Sequence, residues 1–86
     1  MSYKVDFTLQ AQEDMAKLDK AVGERLIRKV QWLSQNFALI VPQPLKGKFE
    51  GTYKLVIGDW RVIYSADFNK EILTVHLARH RSEVYK

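Results

Sequence analysis

The dipeptide Gly58-Asp59 constrains the fold of this chain more than any other feature of its sequence. It separates residues 53–57 from residues 60–65, two runs rich in β-branched and aromatic side chains, by the two residues that a tight hairpin turn requires. Residues 67–70 supply a second turn signal, and a third run of the same kind follows over residues 71–78. The second half of the chain is therefore predicted to form a meander of three antiparallel strands.

The first half of the chain has mainly helical periodicity. Residues 3–7 alternate as a strand does, and Thr8 is a suitable N-cap for a helix that follows. Asp19 can cap a second helix, and the residues up to Gly23 interrupt the strong helix formers, which favours a hairpin of two helices over one long helix. Val41 and the prolines after it end the helical region. Its apolar positions recur in steps of three and four: Met15, Leu18, Val22, Leu26, Val30, Leu33 and Phe37.

Together these patterns predict an α+β fold. Its order is an N-terminal strand, a helical hairpin and an antiparallel three-strand meander, with the first strand joining a small sheet that the two helices cover. Eighty-six residues with 47% hydrophobic content suit one small domain over residues 1–86. The N-terminal residues lack a basic stretch followed by a long apolar run, and no stretch is long enough to span a bilayer, so a cytoplasmic location is expected.

The composition excludes several kinds of site. Cysteine is absent, so neither a disulfide framework nor a thiolate metal site is available. The two histidines, His76 and His80, cannot fill a zinc shell alone, which predicts chemistry without a metal or other cofactor. The formal net charge is +4, and most of the excess lies in residues 46–86, which carry eight basic and five acidic side chains. This balance favours a polyanionic partner without identifying one.

Four side chains are candidates for holding and cleaving a phosphodiester: Lys54, Arg61, Arg79 and Tyr85. A meander brings the first three onto neighbouring strands about 4.8 Å apart, so that long cationic side chains can converge on one phosphate. Strand alternation also places Val56 beside Lys54 and Ile63 beside Arg61, which makes part of that face apolar. The alternation of side chains along the strands does not by itself show which face of the sheet packs against the helices.

The histidines and tryptophans are given different roles. His80 lies between two arginines and is expected to be exposed, whereas His76, within the apolar alternation of the last strand, is expected to be a hydrogen-bonded structural residue. Trp32 and Trp60 have rings able to stack on a base, but their positions near the helical stripe and within a strand place both in the predicted core.

Segments at both ends of the meander share motifs with a known family. They are Leu45-Lys46-Gly47, Tyr53-Lys54-Leu55, Trp60-Arg61-Val62-Ile63-Tyr64 and the more specific ending Arg79-His80-Arg81-Ser82-Glu83-Val84-Tyr85. With the two preceding helices, they resemble the RelE branch of the RelE/ParE superfamily, the toxins of type II toxin-antitoxin modules. The resemblance covers nearly the whole chain, and it implies a RelE-like fold.

The resemblance also implies an activity. Such toxins are mRNA interferases, metal-independent endoribonucleases that enter the ribosomal A site, cut the mRNA there and inhibit translation. A cognate RelB-like antitoxin neutralises them in a toxin-antitoxin hetero-oligomer. In the implied reaction the ribose 2′-hydroxyl attacks the adjacent phosphate, with Tyr85 favoured as base and Arg79 or His80 protonating the leaving oxygen. The family pattern makes Lys54, Arg61, Arg79 and Tyr85 catalytic, with Arg81 contacting RNA.

The chain departs from the family pattern at one strand position. Well-known members carry a second lysine two residues after the first, and Val56 occupies that position here. Either Lys46 or Lys48 compensates as a further RNA-binding residue, or the rate is low. The chain also stops one residue after Tyr85, so a C-terminal helix is expected to be missing and the tail to be mobile when unbound.

Three other functions compete with this one. A ParE-like toxin on the same fold acts on DNA gyrase, and the block from Arg79 to Tyr85 argues against it. A non-enzymatic RNA-binding or repressor partner would use the basic half only to contact phosphates, which charge composition does not exclude. A weakened toxin homologue that mainly binds its antitoxin is the third, and Val56 is the feature that supports it.

Overall fold

The structure is a computed structural model that describes residues 2–84. It has five strands and three helices, and the two longer helices follow the first strand. Two single 3-10 turns, Phe37–Leu39 and Gly47–Phe49, flank the second strand. In chain order the elements are β1 (Lys4–Phe7), α1 (Leu9–Ala16), α2 (Lys20–Asn36), β2 (Gln43–Pro44), β3 (Tyr53–Ile57), β4 (Trp60–Asp67), β5 (Ile72–His80) and α3 (Arg81–Val84). The α+β class and the order of strand, helical hairpin and meander are confirmed.

The helical hairpin forms because two side chains cap its helices. The Thr8 hydroxyl accepts a hydrogen bond from the backbone N–H of Ala11, and the Asp19 carboxylate accepts one from the N–H of Val22 at 2.9 Å. Gly23, expected in the break, lies inside α2 instead. Among residues 2–84, no helix is both long enough and apolar enough to cross a membrane.

The strands form one sheet in the order β1-β5-β4-β3-β2, with β1 parallel to β5 and the other neighbours antiparallel. The first strand thus joins the meander as expected. The two-residue strand β2 is an addition, since Pro42 and Pro44 indicated only the end of the helices. Pro44 is tolerated because β2 is an edge strand, where a missing N–H costs no ladder bond.

The core lies between the sheet and the helices α1 and α2. Leu26, Val30 and Leu33 of α2 pack there with Val62 and Tyr64 of β4. Burial raises the pKa of the Tyr64 phenol to about 12, and the nearby Tyr53 adds to the shift. Trp60 packs partly buried against this core, as expected.

The expectation that Trp32 lies in the core is wrong. Trp32 is 43% exposed, because it precedes the buried Leu33 by one residue, or about 100° around the helix. The Lys29 ammonium lies 4.3 Å from the centre of its ring. Trp32 is therefore an exposed aromatic side chain on the basic side of α2.

A bulge interrupts the pairing of β4 with β5. Ile63 pairs with Leu77 and Tyr64 pairs with Val75, so His76 is an extra residue with no partner of its own in the ladder. Its Nε2 lies 2.7 Å from the Ser65 hydroxyl oxygen. The expectation of a hydrogen-bonded structural histidine is confirmed.

The chain forms a helical turn after β5, contrary to the expectation of a tail without C-terminal helix. Helix α3 (Arg81–Val84) contacts β4 and β5, and Val84 is buried. The backbone N–H of Arg81 donates to the Asp59 carbonyl at 2.8 Å, which fixes the start of α3 to the β3–β4 turn. Burial of Val84 and this hydrogen bond hold the tail against the sheet up to residue 84.

Candidate active site

Three positions lie side by side across the centre of the sheet. In the strand register, Arg61 of β4 is directly opposite Val56 of β3 on one side and Arg79 of β5 on the other. Residues that are directly opposite share a face. The core residue Val62 lies on the other face of the sheet, but the Arg79 guanidinium itself contacts Asp14 on α1. The register therefore brings Arg61 and Arg79 together, as the sequence predicted.

Lys54 shares this face. It lies two residues before Val56 on β3, about 7 Å along the strand, and pairs with Ile63 of β4. Ile63 is buried, so the apolar contribution that alternation predicted is present. The site of Lys54, Arg61 and Arg79 is thus built on three adjacent strands around a buried isoleucine.

Lys46 and Lys48 lie apart from these three residues. Both are exposed in the segment between β2 and β3, and Lys48 is in a 3-10 turn with its ammonium 5.1 Å from the centre of the Phe49 ring. This segment adjoins the β2 edge of the sheet, whereas Arg79 is on β5, beyond β3 and β4. The two lysines are placed to contact a longer polyanion at the opposite side of the sheet from Arg79.

The Arg61 guanidinium is held close to the β3–β4 turn. Its Nη1 donates to the carbonyl oxygens of Gly58 at 2.8 Å and Trp60 at 2.9 Å. Gly58 has a φ of 59° at the first turn position, where type II′ hairpins place glycine. A Cβ there would also come within 2.8 Å of the Arg25 guanidinium. The turn thus fixes Arg61 through its carbonyl groups and accommodates a second arginine over its glycine.

The Arg79 side chain is bound by a carboxylate that sequence reasoning missed. Its Nε lies 3.2 Å from Oδ2 of Asp14, whose side chain is 4% exposed. The same oxygen accepts the backbone N–H of Ala78, and Gln10 donates to Oδ1. The sequence carried little signal for Asp14, since it shows an ordinary acidic residue on a polar stretch of α1.

His80 lies on the other face of the sheet. It pairs with Trp60, next to the pair of Arg61 and Arg79, and neighbouring positions of a strand point to opposite faces. The His80 ring lies edge-on to the Trp60 ring, with the two ring centres 5.5 Å apart. Its Nδ1 accepts the backbone N–H of Ser82 at 3.2 Å, so the imidazole caps α3. His80 is half-buried. The structure therefore does not bring this histidine to the Lys54 and Arg61 face, and it is less exposed than expected.

The remaining tail candidates are Arg81 and Tyr85. Arg81 is exposed, and its Nε lies 3.6 Å from the Asp59 carboxylate. An exposed pair of this kind contributes little to stability, so the guanidinium can exchange Asp59 for a phosphate at small cost. Tyr85 lies outside the described residues.

Known proteins share this sequence pattern and fold. Residues 5–85 match the family model described as the ParE toxin of the type II toxin-antitoxin system parDE. No curated sequence is similar enough to count as a match.

Solved structures are similar over nearly the whole chain. A chain of the Mycobacterium tuberculosis toxin-antitoxin complex RelBE2 has 26% identity and a TM-score of 0.84, with 95% of this chain and 94% of that one covered. A double mutant of the Escherichia coli toxin RelE in the free state has 27% identity and a TM-score of 0.78, with 99% and 92% covered. A chain of the RelE-RelB complex of Pyrococcus horikoshii has 22% identity and a TM-score of 0.73, with 94% and 97% covered, and this shows the fold alone.

Proposed function

Since the chain belongs to the RelE/ParE superfamily as a toxin of a type II toxin-antitoxin system, we propose that it is a ribosome-dependent endoribonuclease that cuts mRNA in the A site. The observation that carries the proposal is the direct opposition of Arg61 and Arg79 on the face that also holds Lys54. Three cationic residues on adjacent strands of one face suit a phosphodiester whose charge increases during the reaction. Likeness to the RelE chain of Escherichia coli supports this choice.

The proposed reaction uses the ribose as nucleophile. The 2′-oxygen bonds to the adjacent phosphorus, the bond from phosphorus to the 5′-oxygen breaks, and the products are a 2′,3′-cyclic phosphate and a 5′-hydroxyl. Arg61 and Arg79 stabilise the charge on the non-bridging oxygens, and Lys54 assists. Tyr85, carried over from the resemblance, takes the 2′-hydroxyl proton, so Tyr85→Phe should abolish cutting.

The leaving 5′-oxygen also needs a proton. His80 is a poor donor of this proton, because it lies on the other face of the sheet and its Nδ1 accepts the Ser82 N–H at the start of α3. In the proposal Arg79 delivers this proton, since the leaving alkoxide is a stronger base than a neutral guanidine. His80 then acts by supporting the tail.

Dependence on the ribosome follows from assigning the proton transfers to a tyrosine and an arginine, residue types that are a weak general base and a weak general acid at neutral pH. A site that relies on charge stabilisation gains most when the substrate already has its 2′-oxygen in line with the bond that breaks. The ribosome can impose such a conformation on the A-site codon. Arg81, Lys46 and Lys48 would contact the RNA on either side of the cut.

The partner proposed for the resting state is a RelB-like antitoxin. Two of the similar structures are complexes of a toxin with its antitoxin. A cytoplasmic hetero-oligomer of toxin and antitoxin is the form that we expect in cells.

Induction of the toxin without antitoxin tests the proposal. Protein synthesis should stop, and primer extension should show mRNA cuts linked to codon position. With purified ribosomes, a 2′-deoxynucleotide at the cut site should block cleavage, whereas the same substitution one codon away should not. Cleavage that persists with the deoxynucleotide would overturn the mechanism.

A gyrase-directed activity is the second candidate. It is favoured by the family model itself, which is that of ParE toxins, and by Val56, which removes a cation from the row of Arg61 and Arg79. Intact mRNA together with inhibited gyrase supercoiling would support this function. Intact mRNA with normal gyrase activity and tight antitoxin binding would instead indicate a weakened homologue.

A further inference from the structure

Beyond the end of β1, helix α1 lies along the open edge of β5 and accepts a hydrogen bond from it. The ladder between β1 and β5 stops at the pair of Phe7 and Val75, and the N–H of Thr8 donates to the Val75 carbonyl at 3.0 Å. Further along β5, Oδ2 of Asp14 accepts the backbone N–H of Ala78 at 3.1 Å. A carboxylate from a helix thus replaces the carbonyl that a longer first strand would have provided.

The Asp14 carboxylate is fixed from both of its oxygens. Oδ2 accepts the Ala78 N–H and lies 3.2 Å from Nε of Arg79, while Oδ1 accepts the Gln10 amide at 3.0 Å. The side chain is 4% exposed, so water competes little for these bonds. A buried carboxylate with three protein donors is held in one orientation close to the guanidinium.

The contact leaves the outer part of the Arg79 guanidinium for a ligand. A guanidinium has five N–H donors, and binding through Nε leaves the two terminal amino groups, which form the end-on fork that matches a phosphate. Arg79 retains 34% side-chain exposure. It lines a cavity of about 410 Å³ with Asp14, Lys17, Trp60 and Glu83.

We propose that Asp14 is the positioning residue for Arg79, holding its guanidinium by Nε so that the terminal amino groups present a preformed fork to the RNA phosphate. The inference rests on the proposed function and adds a residue to that site. Without Asp14, the Arg79 guanidinium would lose its counter-charge and the contact that fixes its orientation. If the terminal amino groups of Arg79 had to be ordered during each reaction, they would stabilise the transition state less well than preoriented groups do.

Asp14→Asn is the main test. Asparagine keeps the size and an oxygen for the Ala78 N–H but loses the charge that holds Arg79. We expect an unchanged melting temperature to within a few degrees, a fall in kcat on programmed ribosomes of about 10- to 10²-fold, and a KM within about twofold of the wild type. Glu13→Gln, which neutralises the adjacent exposed carboxylate on α1, is the matched control and should cleave at the wild-type rate.

A double-mutant cycle separates positioning from general support of the fold. In an Arg79→Ala background, Asp14→Asn should change kcat by less than twofold, because the residue through which it acts is gone. Equal losses in both backgrounds, or a wild-type kcat in Asp14→Asn alone, would overturn the proposal.

A measurement without catalysis distinguishes this inference from the proposed function. In a ¹⁵N spectrum the Nε–Hε group of Arg79 should exchange slowly with water in the wild type and at least tenfold faster in Asp14→Asn. Slow exchange in a wild-type protein that does not cut mRNA would refute the ribonuclease while retaining the role of Asp14 in holding Arg79. Fast exchange in the wild type would refute that role.

Discussion

Arg61 lies directly opposite Arg79 in the ladder of β4 and β5, so two guanidinium side chains leave the sheet next to each other on the same face. Like charges in this arrangement repel and destabilise the strand pair. Each head group is held by a different oxygen acceptor, the Gly58 and Trp60 carbonyls for Arg61 and the Asp14 carboxylate for Arg79. The sheet thus places two arginines side by side, and their head groups are bound at separate points, one at the β3–β4 turn and the other at α1.

Removal of either arginine should abolish most of the activity. Arg61→Ala and Arg79→Ala are each expected to lower kcat on programmed ribosomes by about 10²- to 10³-fold, as loss of one preorganised donor does. The fold should survive because both side chains are only half-buried. Arg28→Ala, at an exposed position on α2, is the control, and circular dichroism checks the fold. Near-normal cleavage by both variants would place the active site elsewhere.

Val56→Lys should raise the rate. Val56 is 42% exposed beside Arg61, so a lysine can replace it without disturbing the core. One added charge-assisted hydrogen bond to the phosphate is expected to increase cleavage about tenfold or more. Val56→Thr changes polarity without adding charge and should leave the rate alone. A rate unaffected by the lysine would mean that the phosphate does not reach this end of the row.

Lys54→Ala should remove most of the activity if Lys54 is the only strand lysine serving the site. We expect a loss of about 10²-fold in single-turnover cleavage. Lys46→Ala and Lys48→Ala should weaken RNA binding and reduce its salt dependence with little change in the cleavage step. A negligible effect of Lys54→Ala, with a large loss at Lys46 or Lys48, would transfer the role to the loop.

Variants of His80 can distinguish a role in capping α3 from a role as proton donor in the reaction. His80→Ala should lower the free energy of unfolding by about 1 kcal/mol, because the Ser82 N–H at the start of α3 loses its acceptor. His80→Asn restores an acceptor but carries no titratable proton. If His80 only supports the tail, His80→Asn should recover both stability and cleavage; recovery of stability alone would make the imidazole a proton donor.

Alkaline stability should depend on Tyr64. Burial raises its pKa to about 12 in the folded protein, whereas an unfolded tyrosine titrates near 10. Between these values the folded state binds more protons than the unfolded state, so the free energy of unfolding falls as the pH rises from about 10 to about 12. Urea unfolding at several pH values should show a steeper decline for the wild type than for Tyr64→Phe. Parallel curves would contradict this assignment.

Local signals account for the parts of the fold that were predicted from sequence. The Gly58-Asp59 turn and the caps at Thr8 and Asp19 depend on neighbours within a few residues, so the sequence alone identifies them. Strand β2 was missed because its pairing with Lys54 and Tyr53 depends on tertiary contacts that prolines give no reason to expect.

The site was predicted in part for the same reason. Arg61 and Arg79 could be paired through the order of the strands, which follows from the hairpins. The contact of Asp14 with Arg79 joins residues 65 positions apart at a sheet edge, and no periodicity reports such a contact. His80 was misplaced because proximity to arginines in sequence does not fix the face of a strand.

The extra residue in β5 decides which side of the sheet Arg79 occupies. Leu73 and Val75 point into the core, and strict alternation from them would turn Arg79 inward as well. The unpaired His76 shifts the count by one, so that Ala78 enters the core and Arg79 comes out beside Arg61. Between Val75 and Arg79 the bulge therefore decides the face on which the arginine lies. If every residue were kept but the bulge were lost, the arginine would point toward the helices and away from Arg61, whereas deletion of His76 would remove the bulge and leave Arg79 opposite Arg61.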